Sequence, residues 1–199
     1  GAALIAQKVR RIIWMDGMYN FGCAQHATWN WLGPDVGCRG SAKQAVEGWP
    51  SSVHQLFTNV GGGILHGAAL ATCAPPSNPC RRAFADWGAA RTGRMSWDPV
   101  AVLLAARGAA ALGLLPQTGG YNTVQTSGVE RWVPDHTRPY NQSRIRFGDL
   151  ADPYVRLALS AELDRLLCTE ARSLRVTRGE DGAAGNNWGR LNHEVIVRL

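Results

Sequence analysis

Four consecutive residues, Ser96-Trp97-Asp98-Pro99, bring a hydroxyl, an indole and a carboxylate to the start of an apolar run over residues 100–106. Pro suits the first turn of a helix, because its missing N–H would have no partner there. The pattern predicts a buried helix that begins near Pro99, with Ser96 or Asp98 as its N-cap. Asp98 is also placed to hold a cation or a polar ligand, so the sequence leaves a cap and a binding site open as alternatives.

Other residues with chemical potential form weaker patterns. The five His are scattered and no Gly-x-Ser-x-Gly turn is present, which disfavours a Ser/His/Asp hydrolase. Gly61-Gly62-Gly63 lacks the Gly-Lys-Ser/Thr of a phosphate-binding loop and predicts a turn. Seven of the eight Trp lie near Gly, Pro or Asn, where they either pack loops onto the body or line a pocket for a flat or sugar-like ligand.

Composition and charge exclude several classes of protein. The chain has 199 residues, of which 45% are hydrophobic and 18% charged, as expected for one globular domain. Its net charge of +6 is spread along the chain, so no nucleic-acid partner is expected. No apolar run is long enough to span a bilayer. Residues 2–7 resemble the end of a helix already under way, which predicts a fragment whose N-terminal part is missing.

The cysteines and one tripeptide bear on the compartment. Cys73 and Cys80 bound a short Pro-rich loop, which predicts a local disulfide between them. Cys168 lies in a helical pattern and is predicted to be a buried free thiol, whereas Cys23 and Cys38 lie in loop-like sequence. No pair has metal-ligand spacing with a His nearby, so no zinc site is expected. Disulfides and the glycosylation pattern over residues 141–143 predict a secreted or lumenal protein.

Hydrophobic periodicity predicts the elements that position these residues. Strands are predicted over 9–15, 53–58 and 143–147, and a hairpin within 119–133. Helices are predicted to end at about residue 7 and to span 41–47, 66–72, 79–87, 99–106 and 152–172, with a long loop over 18–39. This alternation predicts an α/β fold with a mostly parallel sheet. Ligands of such sheets bind at the rim formed by the carboxyl ends of the strands. The strand ends predicted here are followed by residues 16–39 and 59–66, and Asp98 is a candidate to lie at the same rim.

Several of these segments resemble the inosine/uridine-preferring nucleoside hydrolase family. Residues 8–17 resemble the strand that ends Met-Gly-Gly, and residues 27–31 (Ala-Thr-Trp-Asn-Trp) resemble the Glu-aromatic-Asn-aromatic motif. Residues 42–50 and 52–70 resemble the following helix, strand and Gly-rich segment. Residues 96–102 resemble the His-Asp-Pro-x-Ala motif, with Trp before the Asp. The similarity runs in consistent order from residue 2 to about residue 135.

The resemblance implies both an architecture and a reaction. The fold would be the C-terminal part of a nucleoside-hydrolase-like open, mostly parallel sheet flanked by helices. The reaction would be calcium-dependent hydrolysis of the N-glycosidic bond of a ribonucleoside, giving free base and ribose. The family's Asp-rich N-terminal motif is absent from these 199 residues. The chain is therefore interpreted as a single domain over 1–199, family-like over 1–135 and with a C-terminal extension and helix over 136–199. Alone it should be inactive, and no catalytic residue is assigned.

Carried over by position, the resemblance implies roles for four residues. Asp98 matches a calcium ligand, which suits a cation that binds oxygen. Asn30 matches the Asn that contacts ribose hydroxyls, and Thr28 stands where the family has a Glu for the 5′-hydroxyl, so a charge-assisted bond is lost. Trp97 stands where many members have a His that assists the departing base. An indole cannot donate a proton at neutral pH, but it can stack on a base. Asp16 replaces a Gly, and its role is open.

These departures support an alternative of a different class. The chain could be a catalytically degenerate, hydrolase-like module that serves as a structural or binding component of an extracellular or lumenal assembly. A third interpretation is a lectin-like sugar binder that uses its Trp residues. The partners expected are a nucleoside or another ribose-containing small molecule, together with further copies of the chain or a larger assembly.

Overall fold

The computed structural model describes residues 1–16, 26–27, 36–58, 60–126, 128–137, 140–146 and 152–169. Within them the fold is mixed α/β, with six α-helices and eight strands. The helices are α1 (Ala2–Lys8), α2 (Val36–Glu47), α3 (Leu70–Cys73), α4 (Pro79–Asp86), α5 (Trp97–Arg107) and α6 (Pro153–Cys168). The strands are β1 (Arg11–Met15), β2 (His26–Ala27), β3 (His54–Thr58), β4 (Leu65–His66), β5 (Arg94–Met95), β6 (Gly120–Val124), β7 (Val129–Pro134) and β8 (Gln142–Ile145).

The central sheet has the order β1-β3-β8 and is parallel throughout. Met15 pairs with Thr58, and Thr58 pairs with Ile145, so the carboxyl ends of the three strands lie at one edge. The predicted parallel α/β sheet is confirmed for this part of the chain. We call this edge the carboxyl edge.

Both faces of the central sheet are covered. Alternate residues of β3 point to opposite faces, so Leu56 and Phe57 enter different cores, as expected for a parallel strand buried on both sides. On one face, α5 and α6 contribute Val100, Leu103, Leu104, Leu159 and Leu163 to the core. On the other face, the predicted hairpin is confirmed as β6 and β7, which pair antiparallel and place Val124 and Trp132 on Phe57.

Two predicted element boundaries are wrong. The helix predicted over 66–72 is a short strand, β4, which pairs antiparallel with β5, followed by a helix that begins only at Leu70. Gly67, with a φ of 89°, separates the two and cannot continue either element. The helix predicted from Ser41 begins five residues earlier, at Val36. By contrast, α6 begins as predicted, with the Asp152 carboxylate accepting a hydrogen bond from the Tyr154 N–H at 2.8 Å.

The disulfide prediction is correct in kind but wrong in its partners. Cys73 is bonded to Cys168, with their Cα atoms 5.5 Å apart, and Cys80 is a free thiol. Cys168 is therefore not the free thiol that its helical pattern suggested. The reason is tertiary, because the last turn of α6 lies beside the end of α3 and brings Cys168 to Cys73.

The helices described here include none that combines the length and the apolar character needed to cross a membrane.

Candidate functional site

The carboxyl edge is marked by two buried polar residues on neighbouring strands. Asp16 follows β1 directly and is 1% exposed, and Thr58 ends β3 and is 2% exposed. The Asp16 N–H donates to the Thr58 carbonyl at 2.9 Å, which extends the sheet by one residue and fixes the position of Asp16. The edge where α/β sheets bind ligands thus carries a carboxylate.

The start of α5 lies at the same edge. The 3₁₀ turn Val60–Gly63 follows β3, and its Gly61 carbonyl accepts a hydrogen bond from the Ser96 N–H at 2.9 Å. A Cβ on Gly61 would collide with the backbone of Ser96 and Trp97, so only glycine allows this contact. The helix then runs back along β1, because Ala101 and Ala105 lie beside Arg11 and Ile12 at the other end of that strand. The turn thus holds the start of α5, with Trp97 and Asp98 in its first turn, against the segment that follows β3.

Trp97 and Asp98 occupy different environments at the helix start. The Trp97 indole is half-buried, and a Cβ on Gly62 would lie 3.0 Å from its Nε1 atom. Asp98 is exposed on the first turn of α5, where a carboxylate is favoured by the partial positive charge of the helix terminus. Thr28 and Asn30, the predicted sugar contacts, lie outside the described residues.

The predicted cap at this helix is wrong. Ser96 occupies the N-cap position, but its side chain accepts no backbone N–H of α5, and Asp98 lies inside the first turn. The Ser96 hydroxyl instead donates to the Ile64 carbonyl at 2.7 Å and lies 2.6 Å from Nδ1 of His66. The single hydroxyl proton of Ser96 is used in the bond to Ile64, so Nδ1 of His66 must carry the proton between the two side chains. The same N–H also points to the Arg94 carbonyl, 3.0 Å away. Ser96 therefore fastens the helix start to β4.

His66 is the buried centre of this network. It is 4% exposed, and its ring meets the Phe84 ring edge-on at 5.2 Å. Burial lowers the pKa of the imidazole below its usual 6.5, while the Arg94 carbonyl and the Asp164 carboxylate act in the opposite direction. The neutral imidazole is thus the native form, and the Ser96–His66 pair serves a structural role with both side chains closed to solvent.

The lowered pKa of His66 predicts a loss of stability in mild acid. The His66 imidazole takes up a proton more readily in the unfolded chain than in the folded one. Its contribution to the free energy of unfolding is therefore complete above pH 6.5 and is lost as the pH falls below that value. The slope for one such group is at most about 1.4 kcal/mol per pH unit. Urea denaturation between pH 5 and pH 8 should show a shallower slope for His66→Gln than for the wild type. Burial and Arg11 also lower the pKa of His54, so that residue accounts for part of the remaining slope.

The control for this prediction is His136→Gln, because His136 is exposed. It removes an imidazole from the surface, so it tests whether a change in the pH slope is specific to the buried ring. A His66→Gln slope equal to the wild-type slope would show that the buried imidazole does not titrate on unfolding.

The contact at Gly61 predicts a position-specific destabilisation. Gly61→Ala should lower the free energy of unfolding by about 1–3 kcal/mol, because the added methyl group meets backbone atoms that cannot rotate away. It should also change the fluorescence of Trp97, which starts the displaced helix. Gly62→Ala is the matched neighbour, and it should cost less because its methyl group meets only the edge of the indole. Urea titrations of the two variants would contradict the assignment if Gly62→Ala were equally damaging.

A buried polar cluster on the other face of the sheet was missed by the sequence-based prediction. Asn122 and Glu130 point inward from the hairpin and are 2% and 4% exposed. The Asn122 amide donates to the Glu130 carboxylate at 3.2 Å, and the Asn122 N–H donates to the Gln142 side chain at 2.7 Å. The alternation of residues along the hairpin could have predicted this cluster, because a period of two places both residues on the same side as Val124. This cluster joins the hairpin to β8 rather than to the start of α5.

Among the residues that the structure describes, those at the carboxyl edge supply only part of a calcium site. Calcium takes about six to eight oxygen ligands. The Asp98 carboxylate is chemically suitable as one of them. The described residues contain no group of three or more His, Cys, Asp or Glu side chains that could hold a metal ion. Calcium binding at this edge would need ligands from other parts of the protein.

No protein-family model, curated protein or solved structure matches the chain. The local chemistry of the carboxyl edge is nevertheless clear. An exposed carboxylate can accept hydrogen bonds from hydroxyl groups or bind a cation, and a half-buried indole beside it offers a flat apolar surface.

Proposed function

We propose that this chain is the C-terminal part of a nucleoside hydrolase and binds the ribonucleoside at the carboxyl edge of its parallel sheet. The observation that carries the proposal is the placement of Trp97 and Asp98 at the start of α5, against the turn that follows β3. Ligands of open α/β sheets bind outside the carboxyl ends of the strands. The segments that resemble the nucleoside hydrolase family occur in the family's order along the chain, which supports a ligand site at this edge.

The roles that we propose follow from the chemistry of each side chain. Asp98 accepts hydrogen bonds from ribose hydroxyls and contributes negative charge that favours an oxocarbenium-like transition state. Trp97 stacks on the base, and Thr28 and Asn30 contact the sugar. Calcium, when bound, would orient the sugar hydroxyls and activate a water molecule. The base that takes the water's proton is expected from a part of the protein outside these 199 residues.

The decisive experiment measures release of ribose from inosine and uridine. The longest product of the gene should hydrolyse both in the presence of calcium, and the 199-residue chain alone should not. Asp98→Asn in the longer protein should lower kcat/KM by about 100-fold or more. Asp86→Asn is the matched control, because Asp86 is exposed on α4 and pairs with Arg82 of the same helix. Equal activity of the two variants would remove Asp98 from the site.

A second experiment tests the cation site in the longer protein. A terbium ion bound by Asp98 would be excited by energy transfer from the adjacent Trp97, so its luminescence would report binding without any turnover. The signal should be displaced by calcium and lost in both Asp98→Asn and Trp97→Leu. Trp87→Leu is the control for loss of an indole, since Trp87 is 68% exposed and lies on another helix end. A signal that survives Asp98→Asn would place the cation elsewhere.

A second candidate function is favoured by the environment of Trp97. Its indole packs on Gly62 in the position where the resemblance implies a His that assists the leaving base. A module that binds a nucleoside without cleaving it would show this arrangement. Nucleoside binding by the longer protein without ribose release would support that function, and binding of free sugars that is lost in Trp97→Ala would support the lectin-like alternative. Robust turnover would contradict both.

A further inference from the structure

Three cysteines lie on α3, α4 and α6, and α3 packs against both of the other helices. Cys73 is the last residue of α3, Cys80 is the second residue of α4, and Cys168 is the last residue of α6. The disulfide joins Cys73 to Cys168, and Cys80 is a half-buried free thiol. A free thiol next to a disulfide is chemically poised for exchange, provided that the chain holds the three sulfur atoms within reach.

Two hydrogen bonds tie the first turn of α4 to both ends of the disulfide. The Asn78 amide, two residues before Cys80, donates to the Leu167 carbonyl at 2.9 Å, and Leu167 precedes Cys168. On the other side, the Arg81 guanidinium donates to the carbonyl of Ala74 at 2.6 Å. Ala74 follows Cys73 directly, so the residues that flank Cys80 contact the neighbours of both bonded cysteines.

We propose that Cys80 exchanges with the disulfide by attacking Cys73. The Cys80 thiolate forms a bond to Sγ of Cys73, the bond between Cys73 and Cys168 breaks, and Cys168 leaves as a thiolate that takes up a proton. One disulfide and one thiol are present before and after, so no oxidant or reductant is consumed. Cys73 is an exposed residue whereas Cys168 is half-buried, so we assign Cys73 as the residue that is attacked.

The exchange works as a switch at the end of α6. The native bond joins residues 95 positions apart. The new bond joins Cys73 to Cys80, seven positions away, across the short segment between α3 and α4. The first part of α6 stays docked, since Leu159 and Leu163 are buried in the core and the Asp164 carboxylate accepts the Gly67 N–H. The last turn of the helix loses its covalent tie to α3, and Cys168 becomes the reactive thiol.

Peptide mapping distinguishes the two bonded forms. The native chain is incubated at pH 8 without added thiol or oxidant, quenched with N-ethylmaleimide and digested with trypsin. Cys73 and Cys80 share the tryptic peptide 44–81, whereas Cys168 lies in peptide 166–172. In the starting form the two peptides are cross-linked and the maleimide is on Cys80. In the exchanged form, peptide 166–172 is released with maleimide on Cys168, and peptide 44–81 carries an internal disulfide.

We expect the labelled fraction of peptide 166–172 to grow with time and to grow faster at higher pH, by up to about tenfold per pH unit, because the thiolate is the attacking group. In Cys80→Ser the two peptides should stay cross-linked and unlabelled. Native trypsin cleavage after Arg165 should also become faster in the wild type than in Cys80→Ser. Maleimide found only on Cys80 at every time point, or only on Cys73, would overturn the proposal, and so would labelled Cys168 in Cys80→Ser.

Discussion

Replacing Cys73 with Ser should lower the free energy of unfolding by about 4–5 kcal/mol, the value expected for a cross-link that closes a loop of roughly 100 residues. The disulfide joins positions 95 residues apart, so its loss returns much conformational freedom to the unfolded chain. It also releases the end of α6 from α3 in the native state. The measurement is urea denaturation in Cys80→Ser as the reference background, in which no alternative bond can form with Cys80.

Two comparisons make this result specific. Cys80→Ser alone should change the unfolding free energy by less than about 0.5 kcal/mol, because Cys80 contributes no bond to the native form. Adding a reductant should remove the difference between the reference and the Cys73→Ser variant. If the two proteins were equally stable before reduction, the Cys73–Cys168 bond would not be the native one.

Replacing Phe57 with Ala should be comparably damaging, at about 3–5 kcal/mol. Phe57 is 0% exposed on β3, the middle strand of the central sheet, and its ring is stacked on that of Trp14 with 6.3 Å between the centroids. Val124 and Trp132 cover it from the hairpin, so a cavity left there cannot collapse without moving two layers.

The matched control for the core is Leu157→Ala on α6. Leu157 is 65% exposed although it is apolar, so its truncation should cost less than about 0.5 kcal/mol. Equilibrium urea denaturation followed by circular dichroism compares the two variants on one scale. A Phe57→Ala cost below about 1 kcal/mol would mean that the hairpin does not pack on the central sheet as described.

The two large effects concern the scaffold, whereas the proposed site depends on a small contact within it. The carboxyl edge gains Trp97 and Asp98 because Gly61 lets a turn lie against the backbone of the α5 start. Ser96 and His66 then hold that start to β4. Loss of either contact would displace the candidate ligand-binding residues without removing the core, which is why activity and stability should be measured on the same variants.

Much of the fold could be predicted because its signals are local. The apolar run of β3, the period of two in the hairpin and the Asp152 cap of α6 each depend on residues within one element. The helix after Pro99 was predicted for the same reason. The pattern over residues 66–72 was too short for periodicity to distinguish a strand from a helix. The positive φ of Gly67 separates the two elements there, and hydrophobic periodicity does not reveal such a backbone angle.

Sequence patterns alone predicted the alternation of strands and helices and singled out Asp98 as a candidate ligand, and the structure shows that Asp98 is exposed at the start of α5. The packing of the elements against one another fixes which cysteine is bonded to Cys73, because that choice depends on where the last turn of α6 lies. It also decided that the Ser96 hydroxyl bonds to His66 and Ile64 rather than capping α5, and that Asn122 and Glu130 meet in a buried cluster. These are contacts between elements distant in the chain, and local periodicity does not encode them.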